Sequence, residues 1–525
     1  MAFMNTEIYL DANATSPVLP AAIGAAQAAL LACFGNPSSS HAAGLRARAL
    51  LDDARDRARH VLGAPEGRLL FTSGATEGIQ TAVLSALCAV RARREAGEPC
   101  GDLLLYGATE HKAVPESLAH WNALLGTGLT LQALPVDADG RHRLDELRAL
   151  APRAAVVCTM AANNETGVVS DLAGIAAVLE ETGSTALWMV DCVQALGKLP
   201  LSLSRSRIDY APFSGHKLYA PKGIGMLYVR AGAPYTPLMC GGGQEAGQRS
   251  GTENMAGIAA LGAVLRALEE GTTFRTHAQM DAARDRLAAA LRAAFPGIVF
   301  NAPFEHALPT TLNFTVPGYS GKTLLDLFDA AGVRVSAGSA CSAAKAAPSY
   351  VLLAMGVPEE RCANAVRMSF GPLADDAFID AACARILRCG QALQAPPPAP
   401  CPVTGSGAPA ITSVPAASAG SSIPMPCGID GKGLARFLER HPDALLVDVR
   451  EACEHALGTP LLHGRAAYSL PLSRLPEHAA WLGRETRPLV FFCRSGNRSA
   501  QAAQLAQELG HGNVRHLAGG LALLN

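Results

Sequence analysis

Phe213-Ser214-Gly215-His216-Lys217 decides how this chain is read. The apolar run Ala186-Leu-Trp-Met-Val190 precedes it and closes on Asp191, with Gln194 three residues later; a second run, Ile224-Gly-Met-Leu-Tyr-Val229, follows it. Short apolar runs bounded by turn residues read as buried strands. Asp191 therefore stands at a strand's end, and Lys217 on a loop before the next strand. Toward the N-terminus, Leu69–Phe71, Leu103–Tyr106 and Ala154–Val157 are strands of the same kind. Between strands the spacing is helical: Leu45, Ala49, Ala54, Ala58 and Val61 share one face of a helix over 42–62, which follows a loop ending in a cap at His41. Alternating strands and helices predict a doubly wound α/β domain, whose ligand site collects at the carboxyl ends of the strands. Thr76, His111, Asn164, Asp191 and Lys217 each fall just after a predicted strand.

At 525 residues the chain predicts two or three domains. Its composition, 49% apolar and 17% charged, is that of globular material with substantial cores. A net charge of −1 gives no basic excess to draw nucleic acid or an anionic membrane. Fourteen cysteines in so long a chain are not a disulfide framework, and none form a metal-type pair, so a reduced cytoplasm is the expected compartment. The first residues lack the basic and apolar regions of a secretory signal. The Ala-rich stretch 21–34 is too short to span a bilayer and reads as a buried or amphipathic helix.

A buried acid and a loop lysine suit pyridoxal phosphate (PLP), which needs a lysine for its aldehyde carbon and a carboxylate to keep its ring nitrogen protonated. The small residues of Thr72-Ser-Gly-Ala-Thr-Glu77, opening a helix that runs to about Arg94, expose backbone N–H groups to a phosphate. The plainer reading makes them an ordinary turn capped by Thr76. From about Ala256 a long helical stretch leaves this domain for a mixed α+β region with strands at 311–315, 333–335 and 366–370 and a helix near 322–331. There Cys341 lies in Ser336-Ala-Gly-Ser-Ala-Cys-Ser-Ala-Ala-Lys345, a small-residue loop that favours an accessible, reactive thiol.

Residues 395–428 hold nine prolines and no charge, so they read as an extended linker. After it come a helix at 431–440, strands at 444–447 and 489–492, and Cys493-Arg494-Ser495-Gly496-Asn497-Arg498, which turns into a helix to about Leu509. A cysteine in a tight loop at a helix N-terminus faces converging amides and a positive dipole end, which favour its thiolate; the two arginines are expected to strengthen that field.

Residues 7 to about 390 resemble the cysteine desulfurases, PLP enzymes of aminotransferase fold type I. The resemblance runs through Tyr-Leu-Asp-Ala-Asn-Ala-Thr (9–15), Gly-Asn-Pro-Ser-Ser (35–39), Thr-Ser-Gly-Ala-Thr-Glu (72–77), Glu-His-Lys (110–112) and Asn-Asn-Glu (163–165). It continues through Ser-Gly-His-Lys (214–217), Gly-Gly-Gly-Gln-Glu (241–245), Arg-Ser-Gly-Thr (249–252) and Gly-Ser-Ala-Cys (338–341). It departs at Gly78-Ile79-Gln80, where the family has an Asn-rich helix start, and in a slightly longer segment between Asn164 and Asp191. The resemblance implies that Lys217 carries the cofactor, His111 stacks on its ring and relays protons, and Asp191 pairs with the ring nitrogen. Asn164 and Gln194 would meet the ring oxygen, and Thr76, Ser214 and His216 the phosphate, with Thr252 reaching it from the other subunit of a homodimer. Asn36 and Arg367 would bind the substrate carboxylate, and Cys341 would take the sulfur. Residues 429–525 resemble a rhodanese domain through Asp448-Val-Arg450-Glu451 and the Cys493 loop, with Cys493 as persulfide carrier. The tail stops short of the aromatic usual there, which bears on that domain's stability.

The expected organisation is a PLP domain over 1–394, a linker over 395–428 and a rhodanese domain over 429–525. The PLP domain would divide into a large part at about 18–256 and a small part built from the N-terminal segment and about 257–394. The expected activity converts L-cysteine to L-alanine with a persulfide on Cys341, relayed to Cys493 and on to acceptor proteins such as an iron–sulfur scaffold. Competing readings keep the PLP domain but act as a selenocysteine lyase or a transaminase, or make the last domain a docking module or a phosphatase. Four residues separate Cys493 from Arg498, one fewer than in phosphatase loops, and a smaller loop suits a single sulfur.

Overall fold

The computed structural model describes residues 7–337, 348–395 and 428–524. After β1 (Ile8–Tyr9), seven strands form one sheet: β2 (Arg68–Thr72), β3 (Leu103–Gly107), β4 (Thr130–Leu134), β5 (Ala154–Met160), β6 (Leu187–Asp191), β7 (Tyr210–Ser214) and β8 (Gly225–Val229). Their spatial order is β2-β8-β7-β6-β5-β3-β4. β8 runs against both its neighbours, and the steps from β7 to β4 are parallel. β5 and β6 are buried at every residue, as continuous apolar strands covered on both faces must be. Alternation sends Trp188 and Val190 of β6 into one core and Leu187 and Met189 into the other. Those cores are closed by α1 (Pro20–Ala32), α2 (Ala42–Val61), α3 (Ala75–Glu95), α4 (Ala113–Leu124), α5 (Leu144–Leu150), α6 (Leu172–Glu181) and α7 (Met255–Glu270). α7 packs on α1 and α2, so the long helix expected to leave the large part at about Ala256 still belongs to its core. The α/β expectation holds, and His41 caps α2 by accepting the Gly44 N–H.

Two local readings are corrected. The sequence reading counts Lys217 among the residues after a strand but gives no strand range between Asp191 and Ile224; Phe213 and Ser214 end β7, and only Gly215–Lys217 form the turn. Pro212 hides this strand. It has no N–H for a ladder, and β7 meets β6 only at Tyr210 opposite Met189. At the start of α3 the cap is Gly74, not Thr76, and no side chain satisfies the first amides.

The small domain packs α8 (His277–Ala294), α9 (Gly321–Ala330), α10 (Tyr350–Ala354), α11 (Glu359–Ala363) and α12 (Asp376–Gln394) on a second sheet. That antiparallel sheet joins β9 (Val299–Phe300), β10 (Thr311–Thr315), β12 (Ser336–Ala337) and β13 (Val366–Ser369) in the order β12-β13-β10-β9, while β1 pairs in parallel with β11 (Val333–Arg334). The N-terminal segment thus crosses between the domains: Leu10 donates its N–H to the Arg334 carbonyl and accepts the Ser369 N–H, and Ser16 donates its N–H to the His216 carbonyl.

A third unit carries β14 (Gly428–Ile429), β15 (Leu445–Asp448), β16 (Tyr468–Ser469), β17 (Leu489–Phe492) and β18 (Val514–Leu517), all parallel, in the order β14-β18-β17-β15-β16. Its helices are α13 (Gly431–Arg440), α14 (Ala452–Ala456), α15 (Ala479–Leu482) and α16 (Asn497–Glu508). Cys453 and Leu457 lean on the core of the small domain, and Arg388 of α12 donates to the Leu457 carbonyl at 3.4 Å. No helix among the described residues is long and apolar enough to cross a membrane.

Candidate active site

The strand ends do what the alternation requires. Thr76, His111, Asn164, Asp191, Gln194, Ser214, His216, Lys217 and Arg367 line one cavity of about 490 Å³, with Asn13 and Ala14 of the crossing segment on its wall. Asp191 closes β6, and its Oδ1 accepts the Val193 N–H at 2.9 Å. Burial raises its pKa to about 6, against the Val193 bond and the nearby Lys217 cation, so it is an anion at neutral pH. Lys217 Nζ donates to the Asn13 and Ala14 carbonyls, both at 2.7 Å. His111 accepts the Ala113 N–H at Nδ1 (3.2 Å), which leaves its proton on Nε2. Burial, then Lys217 and Lys112, lower its pKa, so the ring is neutral. His216 is held by the Thr15 hydroxyl at 3.1 Å, and its pKa falls to about 4 through burial and the lysines beside it.

Arg367 is 1% exposed and emerges from β13; Nη1 donates to the Asn164 carbonyl at 2.9 Å and Nη2 to Asp11 Oδ1 at 2.7 Å, while Nε has no partner among the described residues. The residues at the cavity fit PLP on three grounds. The anion at Asp191 faces a cavity with a neutral imidazole, an amine ends its wall, and the side-chain-uncapped N-terminus of α3 opens into it.

Two expected residues lie elsewhere. Asn36 is exposed, its Oδ1 accepts the Ser38 N–H at 2.9 Å, and it is not among the residues lining the cavity. Thr252 is exposed and lines a separate cavity of about 150 Å³ beside Ser73 and Gly223. Cys341 lies outside the described residues. Two residues without an assigned role in the sequence reading are central. Asn13 accepts from Gln194 and Lys217 at its carbonyl and donates Nδ2 to the Asn164 carbonyl and to Thr311. Lys198 is buried; it donates to Gln194 Oε1 at 2.6 Å and to Asn13 Oδ1 at 3.4 Å, and burial with Lys217 and Arg367 lowers its pKa to about 7. The only sequence sign of it is a lone lysine four residues after Gln194, on the pattern of one helical turn. No group of His, Cys, Asp and Glu among the described residues is placed to hold a metal.

The second thiol closes β17. Cys493 is fully buried; its Sγ accepts the N–H groups of Gly496 (3.2 Å) and Ser499 (3.4 Å). The left-handed Gly496 turns the loop into α16. The tail seats on this loop: the Leu521 N–H reaches the Cys493 carbonyl at 2.9 Å and the Ala522 N–H the Arg494 carbonyl at 3.0 Å. The loop arginines do not lend the thiol an unopposed positive field, as the sequence reading expects: Arg498 pairs with Glu454 at 2.5 and 3.0 Å, and Arg494 with Asp326 at 3.1 Å and Asp329 at 2.8 Å. Asp448, at the end of the neighbouring β15, is held by Arg450 and lies 3.5 Å from His455.

The aminotransferase class-V model matches residues 8–381 and the rhodanese-like domain model residues 433–524. A cysteine desulfurase of Gluconacetobacter diazotrophicus is 40% identical over 375 residues, 71% of this chain and 90% of that protein. The cysteine desulfurase NifS of Azotobacter vinelandii is 36% identical over 378 residues, with 71% and 90% covered. A solved NifS-like protein superposes with a TM-score of 0.64 at 32% identity, covering 74% of this chain and 99% of its own.

Proposed function

From the premise that this chain belongs to the class-V aminotransferase family, among cysteine desulfurases, and carries a rhodanese-like domain, we propose that it takes sulfur from L-cysteine, leaves L-alanine, and passes the sulfur from Cys341 to Cys493 and then to an acceptor protein. The observation that carries the reading is the single cavity that holds Asp191, His111 and Lys217 against the open N-terminus of α3.

Bound there, PLP supplies an electron sink that loosens the bonds at the substrate's Cα. Lys217 would hold it and, with Nζ released, move the Cα proton; the Asn13 and Ala14 carbonyls keep that amine aimed along the wall. Asp191 would hold its negative charge for the ring nitrogen, and the neutral His111 would offer a flat face and one proton at Nε2. The amides of α3 with Ser214, Thr76 and His216 would hold the phosphate, and Gln194, fixed by Lys198, would meet the ring oxygen. Arg367 takes the substrate carboxylate; Asp11 and Asn164 hold its guanidinium in place. Cys341 thiolate would attack the substrate sulfur, an S–S bond forming as the Cβ–S bond breaks; that bond's electron pair stays on the three-carbon unit, which takes up a proton at Cβ and departs as alanine. Thr252, exposed and outside this cavity, would serve the phosphate of a second copy in a homodimer, for which the exposed Ile23, Leu30, Leu31 and Phe34 offer apolar area. The cytoplasm, where thiols stay reduced, suits this chemistry.

A single turnover with sulfur-labelled cysteine at dilute protein tests the reading. Label is expected on Cys341, then on Cys493, at a rate independent of protein concentration, and Cys341→Ser should bind cysteine yet yield no alanine. Alanine formed at the original rate by Cys341→Ser would favour a lyase that has no use for the thiol.

A further inference from the structure

The loop that carries Cys493 lies against the desulfurase half of the chain. α14 packs on α9 and α12, and at that seam two carboxylates of α9 face the loop. Asp326 Oδ1 takes Arg494 Nη1 at 3.1 Å, Asp329 Oδ2 takes Arg494 Nε at 2.8 Å, and Asp326 Oδ2 lies 3.6 Å from Arg498 Nη2. Asp326 is also anchored by Lys322 at 2.8 Å and is 9% exposed; Asp329 also pairs with Arg334. On its other side Arg498 is held by Glu454, itself buried. Both loop arginines are thus occupied, by one carboxylate of their own domain and two of the other, while the thiol beneath them has no exposed surface.

Arginines and converging amides around a thiol are the groups that a small sulfur-bearing anion such as thiosulfate needs. Here carboxylates stand in the place of that anion's charge. We propose that Asp326 and Asp329 gate Cys493: by holding the loop arginines they shut the thiol to small anionic sulfur donors in solution, so sulfur enters only when the loop leaves α9. The proposal rests on the reading of Cys493 as a sulfur-accepting thiol. With the loop free, the thiolate attacks the outer sulfur of thiosulfate, the S–S bond breaks, sulfite leaves with the electron pair, and a persulfide remains. Cyanide then removes the outer sulfur as thiocyanate and the thiolate returns.

The test uses the full-length holoenzyme with two readouts. These are alkylation of Cys493 by neutral iodoacetamide, followed by peptide mass spectrometry, and sulfur transfer from thiosulfate to cyanide. Each partly exposed pair contributes up to about threefold to docking, so Asp326→Asn with Asp329→Asn should raise both rates about tenfold. Alanine formed in a single turnover, before sulfur leaves Cys341, should not change. Salt at roughly 1 M should raise the wild-type alkylation rate and leave the double variant nearly unmoved. Arg494→Ala separates access from anion binding: alkylation should rise while thiosulfate turnover should not. Equal alkylation rates in the wild type and the folded double variant would overturn the gate. Should that variant not fold, a wild-type alkylation rate indifferent to salt overturns it equally. Thiosulfate turnover that survives Cys493→Ala in the double variant would instead remove the reading of Cys493, with the gate still judged by alkylation.

Discussion

Asp191→Asn should make the enzyme worse and the apoprotein more stable, and the two effects share one cause. Asp191 is 6% exposed, and burial lifts its pKa from 3.8 to about 6. A shift of about two units corresponds to about 3 kcal/mol of preference for the neutral form. For an acid with a raised folded pKa, the unfolded chain gives up its proton first as pH rises. The native state therefore loses stability between pH 3.8 and about 6 and carries the full cost above that. Asparagine keeps the oxygen that accepts the Val193 N–H and has no charge to bury. Freed of cofactor, Asp191→Asn should thus be more stable than wild type by up to about 3 kcal/mol at pH 8, and the difference should shrink to nothing near pH 4. Trp188, on the same strand, reports the unfolding of this domain in denaturant. With cofactor the sign of the benefit reverses, because a buried cation at the ring loses its partner. Loss of one member of a buried pair costs about 3–5 kcal/mol, so alanine production should fall by roughly two to four orders of magnitude. Equal apoprotein stabilities at pH 8 would refute the claim that this carboxylate is held charged at a cost. Activity within tenfold of wild type would refute its pairing with the ring.

The remaining predictions concern the lysines and the tail. Lys217→Ala should abolish alanine production and the yellow colour of covalently held cofactor, seen in the absorbance spectrum. Lys198→Met removes the bonds that fix Gln194 and Asn13, so cofactor affinity, measured by titration of the apoprotein, should weaken about tenfold, with the fold intact by circular dichroism. At Gly520, φ is +60° and an added Cβ would lie 2.4 Å from the Cys493 carbonyl. Gly520→Ala should therefore cost the third unit about 2 kcal/mol, read from Trp481 in α15, and lift the tail from the loop.

What the sequence made legible, and what it did not, divides along a physical line. The strands it announces most plainly are those whose burial on both faces demands unbroken apolar runs, such as β5, β6, β8 and β17. β7 escapes because Asp209 and Pro212 interrupt the pattern, and β4 because its mixed burial at the sheet edge admits Thr130 and Gln132. The site follows the same rule. Residues at strand ends, such as Asp191 and Asn164, are found by position, since topology alone brings them to one cavity, whereas Ser214, on the strand that escaped, is reached only through the family resemblance. Asn13 and Lys198 act through contacts made only when the N-terminal segment crosses between two sheets, and a one-dimensional reading has no term for that crossing. Arg494 and Arg498 show the same limit from the other direction. Spacing places them around Cys493 and suggests an unopposed positive field, but α9, some 170 residues earlier in the chain, brings carboxylates against both. Local sequence thus specifies which groups surround the thiol, and tertiary packing decides whether their charge is available to it.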